Sequence, residues 1–108
     1  MSDDALQRLA ATIHGRRKET ASTSYTRELL DAGPERCARK LGEEATETII
    51  AALMQDGPAL TREAADLLYH LLVLLESRRV PLGDVLAELE RRMGTSGHAE
   101  KAARGKSA

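Results

Sequence analysis

Two stretches of this chain are apolar in every direction that a helix can face. Ile49, Ile50, Leu53 and Met54 crowd the first, and Leu67, Leu68, Leu71, Leu72, Val73, Leu74 and Leu75 crowd the second. A helix that is apolar all round must be covered all round. A chain of 108 residues holds enough material for one core and leaves few spare helices to do the covering. The expectation is a small all-α bundle in which a second copy of the chain supplies the missing cover, most simply as a two-fold homodimer. The aromatic content points the same way. There is no Trp and no Phe, and Tyr25 and Tyr69 are the two tyrosines. Such a core is aliphatic, which suits packed helices better than strands drawing on β-branched and aromatic side chains.

Local punctuation divides the chain into about five helices. Leu6, Leu9, Ala10 and Ile13 recur at three- and four-residue spacing, which predicts an amphipathic helix over 3–19 with Asp3 or Asp4 near its start. The polar run 19–24 reads as a loop. Tyr25 to Ala32 reads as a short helix with Leu29 and Leu30 inward and Gly33 as its stop. Pro34 suits the first position of the next helix, which runs to about Gln55. After the turn Asp56-Gly57-Pro58, a fourth helix runs from about Ala59 to Arg78, and Val80-Pro81 breaks it. A fifth runs from Leu82 to Met93, with Val85, Leu86 and Leu89 on one face. The third and fourth form an antiparallel pair. Residues 1–93 make one domain. The polar tail 94–108 reads either as disordered or as closing over the site. Cys37 lies on the side of Leu41 and Thr48 and reads as a small core residue.

Charge and cysteine usage exclude several classes. The net charge is −1 and the basic residues are scattered, with no basic stripe interleaved with aromatics to bind nucleic acid. One cysteine allows neither an internal disulfide nor a cysteine-based metal knot. The first ten residues are acidic and lack the apolar core of a signal peptide. The run near Leu67 to Leu75 is too short to span a membrane. These features predict a cytoplasmic protein.

The carboxylates beside the apolar runs carry the chemistry. On the third helix Glu44 and Glu47 are about 60° apart, and Glu43 and Glu47 about 40°. On the fourth helix Glu63 and Asp66 repeat the three-residue spacing. The chain thus holds Glu-x-x-Glu, fifteen residues, then Glu-x-x-Asp, with the turn at Asp56-Gly57-Pro58 between them. Folding back at that turn brings Glu47 and Glu63 to similar heights, so four or five carboxylates converge. Like charges spaced this way are unfavourable unless a cation neutralises them. An all-oxygen donor set suits Mg²⁺, Mn²⁺ or Ca²⁺. No Glu-x-x-His occurs, and His14, His70 and His98 are too dispersed for zinc. A magnesium ion held by a few carboxylates ordinarily completes its shell with water and substrate phosphate, so the pattern predicts a phosphate-bearing substrate. Glutamates beside Arg36, Arg39 and Lys40 are otherwise an ordinary solvated face. Two acidic pairs straddling one turn, both running into apolar helix, set this case apart.

Three further segments carry a resemblance. SYTRELLDAG (24–33), KLGEEATETIIAA (40–52) and REAADLLYHLLVLL (62–75) resemble the phosphoribosyl-ATP pyrophosphohydrolase family of histidine biosynthesis, within the all-α nucleoside triphosphate pyrophosphatase superfamily. SGHAEKAAR (96–104) is similar to the family's tail. The resemblance implies Mg²⁺-dependent hydrolysis of phosphoribosyl-ATP to phosphoribosyl-AMP and pyrophosphate, with Mn²⁺ as an alternative ion. Carried over by position, the metal carboxylates fall on Glu44, Glu47, Glu63 and Asp66. Glu43 completes the double glutamate, as ligand to a second ion or as a group orienting water, and either Glu43 or Glu47 serves as the base. Lys40 is expected to contact phosphate, against the alternative of an ion pair with Glu44. Ser24, Tyr25 and Thr26 offer hydroxyls at a helix start where an anion docks, against capping by Ser24 or Thr26 and core packing by Tyr25. Lys101 and Arg104 reach phosphate if the tail closes. His70 steers Asp66 or is simply a satisfied interior residue. The competing readings are a housecleaning nucleotide pyrophosphatase of the same superfamily and a non-catalytic, metal-binding helical dimer.

Overall fold

A computed structural model describes residues 4–94, whose regular elements are all helices, with no strand among them. Helix α1 spans Ala5–Gly15, α2 Tyr25–Ala32, α3 Pro34–Met54, α4 Gly57–Ser77 and α5 Leu82–Met93. The first helix is shorter than its apolar spacing predicts. It tightens after Gly15 into a 3₁₀ turn over Arg16–Lys18, where no apolar residue calls for another α turn. Asp4 caps its start, accepting from the Gln7 backbone N–H at 3.0 Å.

The turns follow from their residues. Gly33 has φ +97°, a left-handed conformation that costs glycine little, so α2 stops there and α3 begins at once with Pro34. Asp56 caps α4 through the Ala59 N–H at 2.9 Å, which starts α4 at Gly57 rather than at Ala59. Pro58 sits in the first turn, where a missing N–H costs nothing. With two residues between them, α3 and α4 pack as an antiparallel pair along their length. At its far end α4 closes through Arg79, at φ +60°, which lets the Val80 N–H reach the Leu75 carbonyl at 2.9 Å.

The core lies at one end of that pair. Ile13, Leu29, Cys37, Leu72 and Val73 are buried together, with Leu6, Leu9, Leu30 and Tyr69 packed round them. Burying a Leu or Val fully contributes about 1.5–3 kcal/mol. Cys37 is in this core as expected, its Sγ donating to the Leu29 carbonyl at 3.3 Å. The other end is different. Leu53 is 79% exposed and Met54 80%, with Ile49 and Ile50 also open, and Leu68, midway along α4, is exposed on the single chain as well. The helix of α5 has no buried residue. No helix among the described residues is long and apolar enough to cross a membrane.

Candidate active site

The site forms where α3 and α4 run side by side between the core and the apolar end. Thr48 links the two. Its Oγ1 hydrogen-bonds the Glu44 carbonyl one turn back at 2.8 Å and the Glu63 carbonyl across the pair at 3.2 Å. The hydroxyl thereby ties together the backbones of two carboxylate residues. Sequence reasoning does not single it out; the available signal is a hydrogen-bonding residue one turn beyond Glu44.

Held this way, Glu44, Glu63 and Asp66 each offer a carboxylate oxygen, all within 4.8 Å of one another. Glu44 and Glu63 are partly buried and Asp66 is exposed. Burial first, then the charges of Asp66, Glu44 and Glu47, pushes the Glu63 carboxyl above its ordinary range. A self-repelling trio of oxygen donors fits a hard divalent cation such as Mg²⁺ or Mn²⁺, whose charge relieves the repulsion. Glu47 is expected in the same cage but stands outside the tight trio, although its charge still acts on Glu63. Rotation rather than height separates it. The side of α3 that meets Glu63 is marked by Glu44 and Thr48, and Glu47 is about 100° round the helix from Thr48.

Lys40 pairs with Glu43, at 3.0 Å, rather than with Glu44. Glu44 is turned into the trio, which leaves the more exposed Glu43 as the neighbour within reach. Glu43's hydrogen bond, then the fields of Tyr25 and Glu43, raise the Lys40 ammonium above its usual pKa, so it stays charged. The same hydrogen bond, then the Lys40 charge, holds the Glu43 carboxyl below its usual range.

The start of α2 faces the same region. Ser24 Oγ caps the helix, accepting from the Arg27 N–H at 3.1 Å. Thr26 is buried, and its Oγ1 lies 2.5 Å from the Tyr69 hydroxyl on α4. Tyr25, whose alternative reading is core packing, is 48% exposed, with its ring edge-on to His70. Lys101 and Arg104 lie outside the described residues, as does the tail beyond Gly94.

The chain is similar over nearly its whole length to known proteins. The family model described as "Phosphoribosyl-ATP pyrophosphohydrolase" matches residues 6–93. A protein of Rhodobacter capsulatus named phosphoribosyl-ATP pyrophosphatase is 58% identical over 101 residues, covering 94% of this chain and 98% of that one. Another so named, from Cereibacter sphaeroides, is 58% identical over 100 residues, covering 93% and 97%. A third, from Rhizorhabdus wittichii, is 57% identical over 101 residues, covering 94% and 95%. The stretch matched by the family model contains all three carboxylates of the trio, the Thr48 link and the Lys40–Glu43 pair, and on that match this chain belongs to the phosphoribosyl-ATP pyrophosphohydrolase family.

Proposed function

We propose that this chain hydrolyses phosphoribosyl-ATP to phosphoribosyl-AMP and pyrophosphate, using Mg²⁺ held by Glu44, Glu63 and Asp66. The observation that carries the reading is that trio, with its ligand oxygens within 4.8 Å of one another, in a chain of this family. Bound there, Mg²⁺ supplies charge neutralisation at the phosphate oxygens.

The chain's own groups do the rest. Lys40, held charged beside the trio, binds phosphate by exchanging Glu43 for a phosphate oxygen. The hydroxyl-bearing start of α2 lies against the triphosphate side of the substrate. Glu47 is the better base of the two candidates. Glu43 is engaged by Lys40 and its carboxyl is pushed down, which weakens it as a proton acceptor, whereas Glu47 stands next to Glu63 outside the trio. Glu47 takes a proton from water, the water oxygen bonds to phosphorus, and the phosphoanhydride bond opens to release pyrophosphate.

The exposed apolar residues of the two long helices fit a homodimer in which α3 and α4 of two copies cover Ile49, Leu53, Met54 and Leu68. Sedimentation tests it: Leu53→Lys is expected to shift the protein toward monomer, and a wild-type protein that sediments as a monomer overturns the dimer.

The activity is tested by pyrophosphate release from phosphoribosyl-ATP with and without Mg²⁺, in the wild type and in Glu44→Gln. Expected are Mg²⁺-dependent release in the wild type and its loss in a Glu44→Gln protein of unchanged helicity. Strong turnover of deoxynucleoside triphosphates with none of phosphoribosyl-ATP sinks the proposal in favour of a housecleaning enzyme. No release from either substrate, with Mg²⁺ still raising the melting temperature, indicates a structural metal site.

A further inference from the structure

We propose that His70 is a positioning residue, a buried aromatic wedge on α4 that holds the Tyr25 ring, and with it the first turn of α2, at the phosphate-binding side of the site. The inference rests on the reading of the α2 start as substrate-facing. His70 is 7% exposed, and its Nδ1 has no hydrogen-bond partner among the described residues. Among the described residues, no hydrogen bond at Nδ1 accounts for a histidine here. Its ring contacts do. The imidazole meets Tyr69 edge-on at 4.9 Å between centroids and Tyr25 edge-on at 6.4 Å. Both distances lie within the range of favourable edge-to-face pairs. Tyr25, Tyr69 and His70 thus form one cluster in a chain with no Trp and no Phe.

The cluster joins two parts of the site. Tyr25 opens an eight-residue helix, too short to hold its own direction without tertiary contacts. Below it, Thr26 and Tyr69 share a hydrogen bond, and Leu29 is buried in the core. The half-exposed Tyr25 ring has His70 as its aromatic neighbour, and its phenol lies near enough to Lys40 to act on the ammonium. On the other side, His70 follows Asp66 by one helical turn. Burial, then the Lys40 charge, pushes the imidazole pKa down, which outweighs the pull of Asp66 and Glu43, so the wedge is neutral. Its shape therefore fixes the spacing between the α2 start and the carboxylate helix.

Steady-state kinetics with phosphoribosyl-ATP, together with melting curves, test this. His70→Ala frees the Tyr25 ring and is expected to raise KM about tenfold, with kcat and the half-saturating Mg²⁺ concentration within about threefold of wild type. His70→Phe keeps an edge-on ring and is expected to hold KM within about threefold. In a Tyr25→Ala background, adding His70→Ala is expected to raise KM less than about twofold further, because the two act as one unit. If His70→Ala melts below the assay temperature, His70→Leu, which fills the space without a ring, is read in its place. A KM within twofold of wild type for the ringless variant, while Tyr25→Ala raises KM, overturns the role of His70 and leaves the α2 reading standing. Tyr25→Ala with unchanged KM removes the α2 reading, and the His70 inference falls with it. Equal damage from His70→Phe and His70→Ala overturns the wedge.

Discussion

Replacing Thr48 by Val removes one hydroxyl from the joint between α3 and α4 and little else, since the side chains have nearly the same shape. The structure sets the size of the effect. A single proton is shared between the Glu44 carbonyl at 2.8 Å and the Glu63 carbonyl at 3.2 Å, so one net hydrogen bond is lost, not two. Both carbonyls lie inside helices that supply each with its own backbone donor, so neither is stranded. The cost is therefore that of an ordinary bond, about 1 kcal/mol. In a domain of this size that is about 4–8 °C in melting temperature. The functional effect is larger than the stability effect suggests. The lost bond joins the backbones of two carboxylate residues whose ligand oxygens must converge. Groups that orient metal ligands in this indirect way cost about 10–100-fold in metal affinity when removed. We therefore expect the half-saturating Mg²⁺ concentration for pyrophosphate release to rise at least about tenfold in Thr48→Val, with Thr48→Ser near wild type. The assay is a Mg²⁺ titration of initial rates beside a thermal melt of each metal-free protein. A Thr48→Val protein with a lower melting temperature but an unchanged Mg²⁺ titration refutes the argument and reduces Thr48 to a packing residue.

Three further outcomes are expected. Lys40→Met is expected to raise KM for phosphoribosyl-ATP about tenfold while leaving the melting temperature nearly unchanged, because the Lys40–Glu43 pair is open to solvent on the Glu43 side; a large drop in melting temperature with normal KM contradicts this. Leu29→Ala removes a side chain with no exposed surface and is expected to cost about 2–5 kcal/mol in a urea melt, with a smaller loss counting against the core described here. Glu76 governs acid stability. Burial pushes its carboxyl up, but the hydrogen bonds and charges of Arg17 and His14 together outweigh burial and leave it below the ordinary value of 4.5. A carboxyl whose folded pKa is depressed contributes stability above its unfolded pKa and loses it as the pH falls through the folded value. The wild type is thus expected to lose melting temperature on acidification below about pH 4.5, and Glu76→Gln to show a flatter profile over that window; identical profiles rule the contribution out.

The parts of this site that were legible in the sequence are those governed by helical period and by turns. Glycine and proline at 33–34 and the capped turn at 56–58 mark where α2, α3 and α4 meet. Once the turn is placed, spacing brings four or five carboxylates of the two helices together, and in the structure Glu44, Glu63 and Asp66 are the three whose oxygens lie within 4.8 Å of one another. Rotation about the helix axis was less legible. Matching heights along the two helices puts Glu47 beside Glu63, but the Thr48 hydrogen bond turns Glu44 rather than Glu47 into the joint. That turn also decides the partner of Lys40. With Glu44 drawn toward α4, the lysine takes Glu43 three residues on, and not Glu44, the alternative partner that the spacing offered. Contacts between residues far apart in the chain were not legible at all. His14 lies 2.9 Å from a Glu76 carboxylate oxygen, a contact that exists because α1 packs across the far end of α4. The Tyr25–His70–Tyr69 cluster has the same character. Each residue looks unremarkable in its own helix, and the edge-on contacts arise when α2, braced by Gly33 and the Thr26–Tyr69 hydrogen bond, folds back onto α4. The carboxylate pattern thus points to an oxygen-ligated cation from the sequence onward, while the Tyr25–His70–Tyr69 contacts emerge from packing between helices.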